Sequence, residues 1–438
     1  MFFIFGRSPG LFSPSLVARR CGLYSLLLTA GVLLAGNAAA QHAIPLTLAE
    51  AEDLALDDEP GTNALLARSS ALEEDAVAAG RLPDPALRFG VLNFPIGNGG
   101  FSTEAMTQAQ LGIRQVFPRA RSRALGTRQL QALATAMSDR SVARSRDVLV
   151  AARIAWLDTY YWQQALQTVT ESRPFFADLV NVTRSMYAVG RKTQHDVLRA
   201  ELELSRLDDR VIEAERSRTQ AQAALSQWLG MDAYRPVARK LPAWNQLAPL
   251  EELRGELQKH PLLAAAEAGV VARQSGVELA RESYKSDWAL DLGYGYRDGL
   301  LPNGEPRSDF ISLTVSIDLP FFGRRRQDHK LAAALQERRA ALETKKELRA
   351  ELRSQLDAQY ARWTELTRRL LLYENEILGQ SRGQAQAALL AYQSDAGDFS
   401  DVMRGYIDDL NTRLEYIRLQ VARAQSYASL ANLGGISR

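Results

Sequence analysis

The sequence has one cysteine, four histidines and no surplus of either charge: 53 basic side chains stand against 51 acidic ones in 438 residues. A single thiol excludes a disulfide framework and a cysteine-based zinc module. His42, His195, His260 and His329 include no pair four residues apart, so no zinc or copper site can be drawn, and no metal or cofactor is expected. A tip histidine such as His195 reads as a solvated surface residue. Phosphate-binding loop, dinucleotide fingerprint and Ser-His-Asp grouping are also missing, so catalysis has no candidate and the chain reads as a non-enzyme. The balanced charge speaks against nucleic acid as a partner, and a mean hydropathy of −0.22 against a helical membrane protein.

The one long apolar run, Gly22 to Ala35, follows Arg19-Arg20 and precedes Ala38-Ala39-Ala40. That order is a secretory signal peptide over residues 1–40, cut before Gln41. The run is shorter than the ~20 residues of a spanning helix. Met1 to Leu16 makes an unusually long leader and reads as an upstream extension. Cys21 follows Arg20, not a small residue, so acylation is not expected. Removal of Arg7, Arg19 and Arg20 leaves 50 basic side chains against 51 acidic, net −1, and takes the cysteine away. A thiol-free mature chain suits an oxidising compartment.

What is present is a repeat. Tyr187 with Asp196-Val197-Leu198-Arg199 recurs as Tyr392 with Asp401-Val402-Met403-Arg404, at a shift of 205. Leu229-Gly230 recurs as Leu433-Gly434, and Val116-Phe117-Pro118 is echoed by Asp318-Leu319-Pro320 at a shift near 202. The echoes define two units of about 200 residues, 41–246 and 247–438, far longer than solenoid repeats. The seam lies near Pro236 to Pro249.

Each unit places long helices around short strands. Leu348, Leu352, Leu356, Tyr360, Trp363, Leu366, Leu370, Tyr373 and Ile377 keep helical spacing. Leu204, Leu207, Val211, Ala214, Arg218, Ala221, Leu225 and Trp228 keep a coiled-coil alternation. Both are read as packing seams. Residues 325–394 contain no proline, and one helix there would reach roughly 100 Å at 1.5 Å per residue. Its counterpart from Arg119 to Val189 contains Pro174, expected to kink or break it. Gly190 and a Thr193–Asp196 capping box are expected to turn the first helical hairpin (119–230), and Asp395-Ala396-Gly397-Asp398 the second (324–433).

The strands, expected near 86–94, 106–117, 288–296 and 310–319, alternate with period two. Trp288, Leu290, Leu292, Tyr294 and Tyr296 oppose Ala289, Asp291, Gly293 and Gly295. Ile311, Leu313, Val315, Ile317 and Leu319 oppose Ser312, Thr314, Ser316 and Asp318, and Ala109, Leu111 and Ile113 oppose Gln108, Gln110, Gly112 and Arg114. In the first strand Leu92 interrupts the polar face. Two-faced segments of this length with aromatics near their ends are the pattern of outer-membrane strands; a soluble sheet packed on helices gives the same alternation. In lipid four strands cannot close a barrel, so several copies would have to pool them; three copies give twelve strands, a number the sequence alone does not fix.

The chain resembles the outer membrane efflux protein family, the TolC-like channels of tripartite export systems, over the mature length. The resemblance is carried by the duplication, by Leu82-Pro83-Asp84-Pro85 and Asn93-Phe94-Pro95 around the first strand, by Met106-Thr107 and Gln115-Val116-Phe117-Pro118 around the second, and by Leu319-Pro320 and Gly323-Arg324 after the fourth. The Pro-Asp-Pro, Asn-x-Pro and Met-Thr elements look most like the heavy-metal branch, of cobalt-zinc-cadmium and copper type. The resemblance implies a mainly α fold with a small β part. In it, helical hairpins of a homotrimer form an α-barrel, and four strands per chain join a 12-stranded transmembrane β-barrel. It also implies an outer-membrane, passive conduit that reaches into the periplasm and works with a periplasmic adaptor and an inner-membrane resistance-nodulation-division pump. Two departures stand out: Glu59-Pro60 and His260-Pro261 where the family often has Asn-Pro, and no acylated N-terminal cysteine.

On that plan Tyr187, Val189, Gly190, Tyr392, Asp395 and Gly397, with Met186 and Ala188, would form the adaptor-docking tips, where they could equally be turn builders. Asp398, Asp401 and Asp408, with Asp409, would form entrance carboxylates or simply a solvated acidic face. Gln108, Gln110, Arg114, Asp291, Ser312, Thr314, Ser316 and Asp318 would line the barrel lumen. Arg119, Arg121, Arg123 and Arg324 to Arg326 follow the strands, where lipid phosphates could reward them. A periplasmic coiled-coil adaptor or scaffold is the alternative function, although adaptors flank one hairpin with β-rich domains and two hairpins are expected here.

Overall fold

The computed structural model describes residues 44–434 except Asn98, Ala120, Phe322 and Asp395. The expected signal peptide, Cys21, His42 and the tip residue Asp395 lie outside the described residues. The elements fall in two runs of similar order. The first unit runs α1 (Leu48–Leu56), α2 (Pro60–Ala79), β1 (Ala86–Leu92), β2 (Gln108–Phe117), α3 (Ser122–Ala188) and α4 (Gln194–Leu229). The second runs α5 (Leu250–Glu256), α6 (Pro261–Glu282), β3 (Trp288–Tyr296), β4 (Phe310–Ile317), α7 (Gly323–Leu372), a π-turn (Tyr373–Ile377), α8 (Leu378–Gln393) and α9 (Phe399–Gly434).

Two findings change the helix expectations. Pro174 lies inside α3 without ending it. A proline in a helix interior costs about 3 kcal/mol, and here its neighbours anchor the chain: Phe176 is buried and Phe175 stacks on Tyr406, ring centroids 3.7 Å apart. The proline-free stretch of the second unit is interrupted by the π-turn at Tyr373–Ile377, which the apolar spacing does not reveal. Both apolar stripes are otherwise packing seams, with Leu207, Ala214, Ala221 and Leu225 buried on α4 and Leu352, Leu356, Leu366 and Leu370 on α7.

The strands form an antiparallel sheet in the order β1-β2-β3-β4, so the hairpins of the two units lie side by side. Gly112 faces Gly293 and Arg114 faces Asp291 across the β2–β3 junction. β4 ends at Ile317, so Asp318, expected in the lumen, follows the strand.

Near the seam, Leu46 bridges Val237, and fully buried Trp156 donates its indole N–H to the Leu46 carbonyl at 3.1 Å. The Gln163 amide grips Val237 through both backbone groups, at 2.9 and 3.0 Å. A second core at the far end of the hairpins holds Val169, Phe176, Tyr392, Phe399 and Met403.

Glu59 and His260, the two departures from Asn-Pro, are structural equivalents. Each is the N-cap of a helix with proline in its first turn; Glu59 accepts from the Thr62 N–H and His260 from the Leu262 N–H. Both therefore replace the amide oxygen of asparagine in the same task. His260 is buried, and burial, then the charge of Arg146, pushes its pKa below the ordinary value, keeping the acceptor nitrogen unprotonated. Burial raises the Glu59 pKa, but Arg144 at 2.9 Å and the Thr62 hydroxyl and backbone outweigh it and hold the carboxyl at about 2. A depressed carboxylate pKa stabilises the fold fully above the unfolded value of 4.5 and is lost as pH falls through about 2. Replacement of Glu59 by Gln is expected to cost ~3 kcal/mol at pH 7 and little near pH 2, read as the difference in thermal midpoint between the proteins at the two pH values.

Candidate functional site

Each strand places most of its apolar side chains on one face of the sheet. Leu87, Phe89 and Val91 on β1 continue through Leu111 and Ile113, Leu292 and Tyr294, to Ile311, Leu313 and Val315 on β4. This face is open: Phe89 is 86% and Ile311 79% exposed. A contiguous apolar surface of this kind is a surface for lipid or for another chain. Aromatic residues mark its ends, with Phe117 stacked on Trp288 at 4.1 Å between centroids at one end and Tyr294 and Tyr296 toward the other.

The opposite face is polar and crowded. A Cβ at Gly293 would meet Ser312 Oγ at 2.8 Å and Gln110 Nε2 at 2.9 Å, and one at Gly112 would meet the Leu292 carbonyl oxygen at 2.9 Å. Glycine at 293 thus leaves room on this face for the Gln110 and Ser312 side chains. A shallow cavity lies over it, lined by Arg88, Gln110, Arg114, Asp291, Ser312 and Thr314. The lumen residues expected from the sequence thus share one concave face, as Gln108, Gln110, Arg114, Asp291, Ser312, Thr314 and Ser316, while Asp318 lies just beyond the strand. Arg88 is the member that sequence reasoning missed. Its signal was the Arg88–Gly90 alternation in β1, obscured by Leu92. It reaches Asp291, two strands away, at 2.9 Å, and Arg114 stands 3.9 Å from the same carboxylate.

At the hairpin tips Gly190 has φ +74°, a left-handed conformation that glycine adopts without strain. The capping box is present, with Thr193 accepting from the Asp196 N–H and Asp196 from the Thr193 N–H. Tyr187 and Val189 are exposed, Val189 by 70%. Tyr392 is a correction. It is 1% exposed, packs edge-on against Phe399 at 5.6 Å and lies under Lys192, whose ammonium sits 4.6 Å from the ring centre. It joins the two tips from within and offers no surface to a partner. Gly397 is half-buried against Ala391.

The carboxylates also divide. Asp398, Asp401 and Asp408 are exposed. Arg404 shares their face, 3.8 Å from Asp401, and Asp409 departs from it, buried and paired with Arg413 at 3.0 Å. Of the arginines after the strands, Arg119 binds Asp287 at 3.1 Å and Arg123 donates to the Gly80 carbonyl at 3.1 Å, which gives both a structural reason; Arg121, Arg325 and Arg326 are exposed. Among the described residues no helix is long and apolar enough to cross a membrane, a finding that does not bear on strands.

Long paired helical hairpins continuous with a two-faced four-stranded sheet define a TolC-like outer membrane channel fold. Residues 253–435 match the family model for outer membrane efflux proteins. The chain is 27% identical over 415 residues to Protein CyaE of Bordetella pertussis, covering 90% of this chain and 85% of that one. Among solved structures, CusC superposes with a TM-score of 0.75 at 15% identity, over 90% of this chain and 93% of its own. VceC of Vibrio cholerae gives 0.75 at 17%, over 89% and 96%. At these identities the structures establish the fold.

The two faces make opposite predictions for the same substitution. Ile113→Arg puts a charge on the apolar face, where it is expected to cost about 2–4 kcal/mol in a bilayer and to deplete the protein from the membrane fraction. Thr314→Arg, on the polar face, is expected to leave that amount unchanged, as quantified by immunoblotting of fractionated cells.

Proposed function

We propose that the chain is one protomer of a homotrimeric outer membrane efflux channel, a passive conduit whose twelve pooled strands cross the outer membrane and whose hairpins continue it into the periplasm. The observation that carries this reading is the sheet itself: apolar and open on one face, polar and concave on the other, and unpaired at β1 and β4. Three copies joined β4 to β1 would satisfy both edges and turn every polar face inward. The energy for transport would come from an inner-membrane resistance-nodulation-division pump, linked through a periplasmic adaptor.

The docking surface in this reading is Tyr187, Val189, Gly190 and Gly397, with Tyr392 as internal support, and Asp398, Asp401 and Asp408 face the periplasmic entrance. Heavy-metal cations as cargo are supported by the Pro-Asp-Pro, Asn-x-Pro and Met-Thr elements. The described residues include no group of three or more His, Cys, Asp or Glu side chains that could hold a metal ion, so selection for such a cargo would fall to the pump. A periplasmic scaffold is disfavoured by the apolar face, which water alone would not tolerate.

Cell fractionation with unheated electrophoresis tests the proposal. A trimer-sized species in the outer membrane that collapses to monomer on boiling is expected, and a soluble periplasmic monomer would refute it. Val189→Asp is expected to leave that trimer intact and to reduce adaptor cross-linking at the tip by about tenfold, the equivalent of ~1.4 kcal/mol.

A further inference from the structure

We propose that Arg88, Arg114 and Asp291 form a net-positive belt on the water-facing wall of the barrel, at which anionic groups of the cargo, carboxylate, phosphate or sulfonate, are held in preference to cations. This rests on the barrel reading above and counts against free metal cations as the cargo. In the four strands these three are the charged side chains, and all lie on the polar face. Two guanidinium groups against one carboxylate leave a surplus of one positive charge per chain, repeated by every copy around the lumen.

The arrangement exposes the positive partners and shelters the negative one. The Arg88 side chain is 55% exposed, Arg114 31% and the shared Asp291 19%. Arg88 lies opposite Gly112 on β2 and reaches Asp291 on β3, across a position where any larger side chain would stand in the way. Asp291 therefore pairs with Arg88 and stands near Arg114 without neutralising both. One carboxylate accepts only some of the roughly ten N–H donors that two guanidinium groups carry. The others face the lumen in the planar fork that matches oxyanions. The belt is opposite in sign to Asp398, Asp401 and Asp408 at the tips, so the conduit would carry acidic groups at its entrance and basic ones within the membrane.

The sequence's sole cysteine, Cys21, lies in the expected signal segment, so one introduced thiol can report the local potential. Gln110→Cys places it on the polar face, a diagonal neighbour of Arg88, and Leu111→Cys on the apolar face. Protein in lipid vesicles would be reacted with an anionic and a cationic methanethiosulfonate, each rate normalised to that of a free thiol. At Gln110→Cys the anionic reagent is expected to react about fivefold faster, from one unit charge at ~8 Å in water acting oppositely on the two reagents. The ratio should fall toward one with Arg88→Gln and Arg114→Gln, and rise with Asp291→Asn. Should the introduced thiol at 110 react while that at 111 is protected, with an even or cation-favouring ratio, the belt is overturned and the barrel reading stands. Equal reaction at both positions would overturn the barrel reading, and the belt with it.

Discussion

A strand in lipid must find partners for its backbone N–H and C=O groups within the protein, because hydrocarbon offers none. The four-stranded sheet meets this requirement internally and fails it at its two edges, β1 and β4. Those edges carry Phe89 and Ile311, among the most exposed large apolar side chains of the sheet, so water is no refuge either. Neither solvent suits one copy alone, and the remaining architecture can be followed from that. Each β-hairpin is entered from one helix and left by a much longer one, α2 and α3 in the first unit, α6 and α7 in the second. The helices thus anchor both β-hairpins at one end of the bundle. The β2–β3 junction, made by strands from different units, depends on that bundle and on no local turn.

How much of this could be read from the sequence depended on whether the controlling force was local. Strand faces were legible because period-two alternation records which side meets an apolar medium, and Gln110, Arg114, Asp291 and Ser312 fell on one face as their spacing required. The capping box at Thr193 was legible because it is complete within four residues. Tyr392 was misjudged because it echoes Tyr187, and an internal repeat conserves fold position without conserving exposure. One copy lies at the outside of its tip; the other is covered by Phe399 and by Lys192 from the neighbouring tip. Arg88 was missed because its partner is some 200 residues away, at a distance no periodicity reports.

Glu59-Pro60 and His260-Pro261 open helices at equivalent places with different hydrogen-bond acceptors. An N-cap needs an acceptor aimed at the first-turn N–H groups. A carboxylate supplies one if a cation sits nearby, as Arg144 does for Glu59; an imidazole supplies one if it is kept neutral, as burial does for His260. The two units have solved one problem with different chemistry, and each solution requires its own surroundings.

The same comparison accounts for the irregularities of the long helices. The interval between equivalent residues is near 202 at the strand ends, Val116 to Asp318, and 205 at the tips, Tyr187 to Tyr392. The second unit must therefore take up about three extra residues between its strand and its tip. A π-turn absorbs one extra residue without ending a helix. The π-turn at Tyr373–Ile377 falls where Pro174, carried forward by the repeat interval, would lie. The proline of one long helix and the inserted residue of the other thus fall at nearly equivalent places in the repeat.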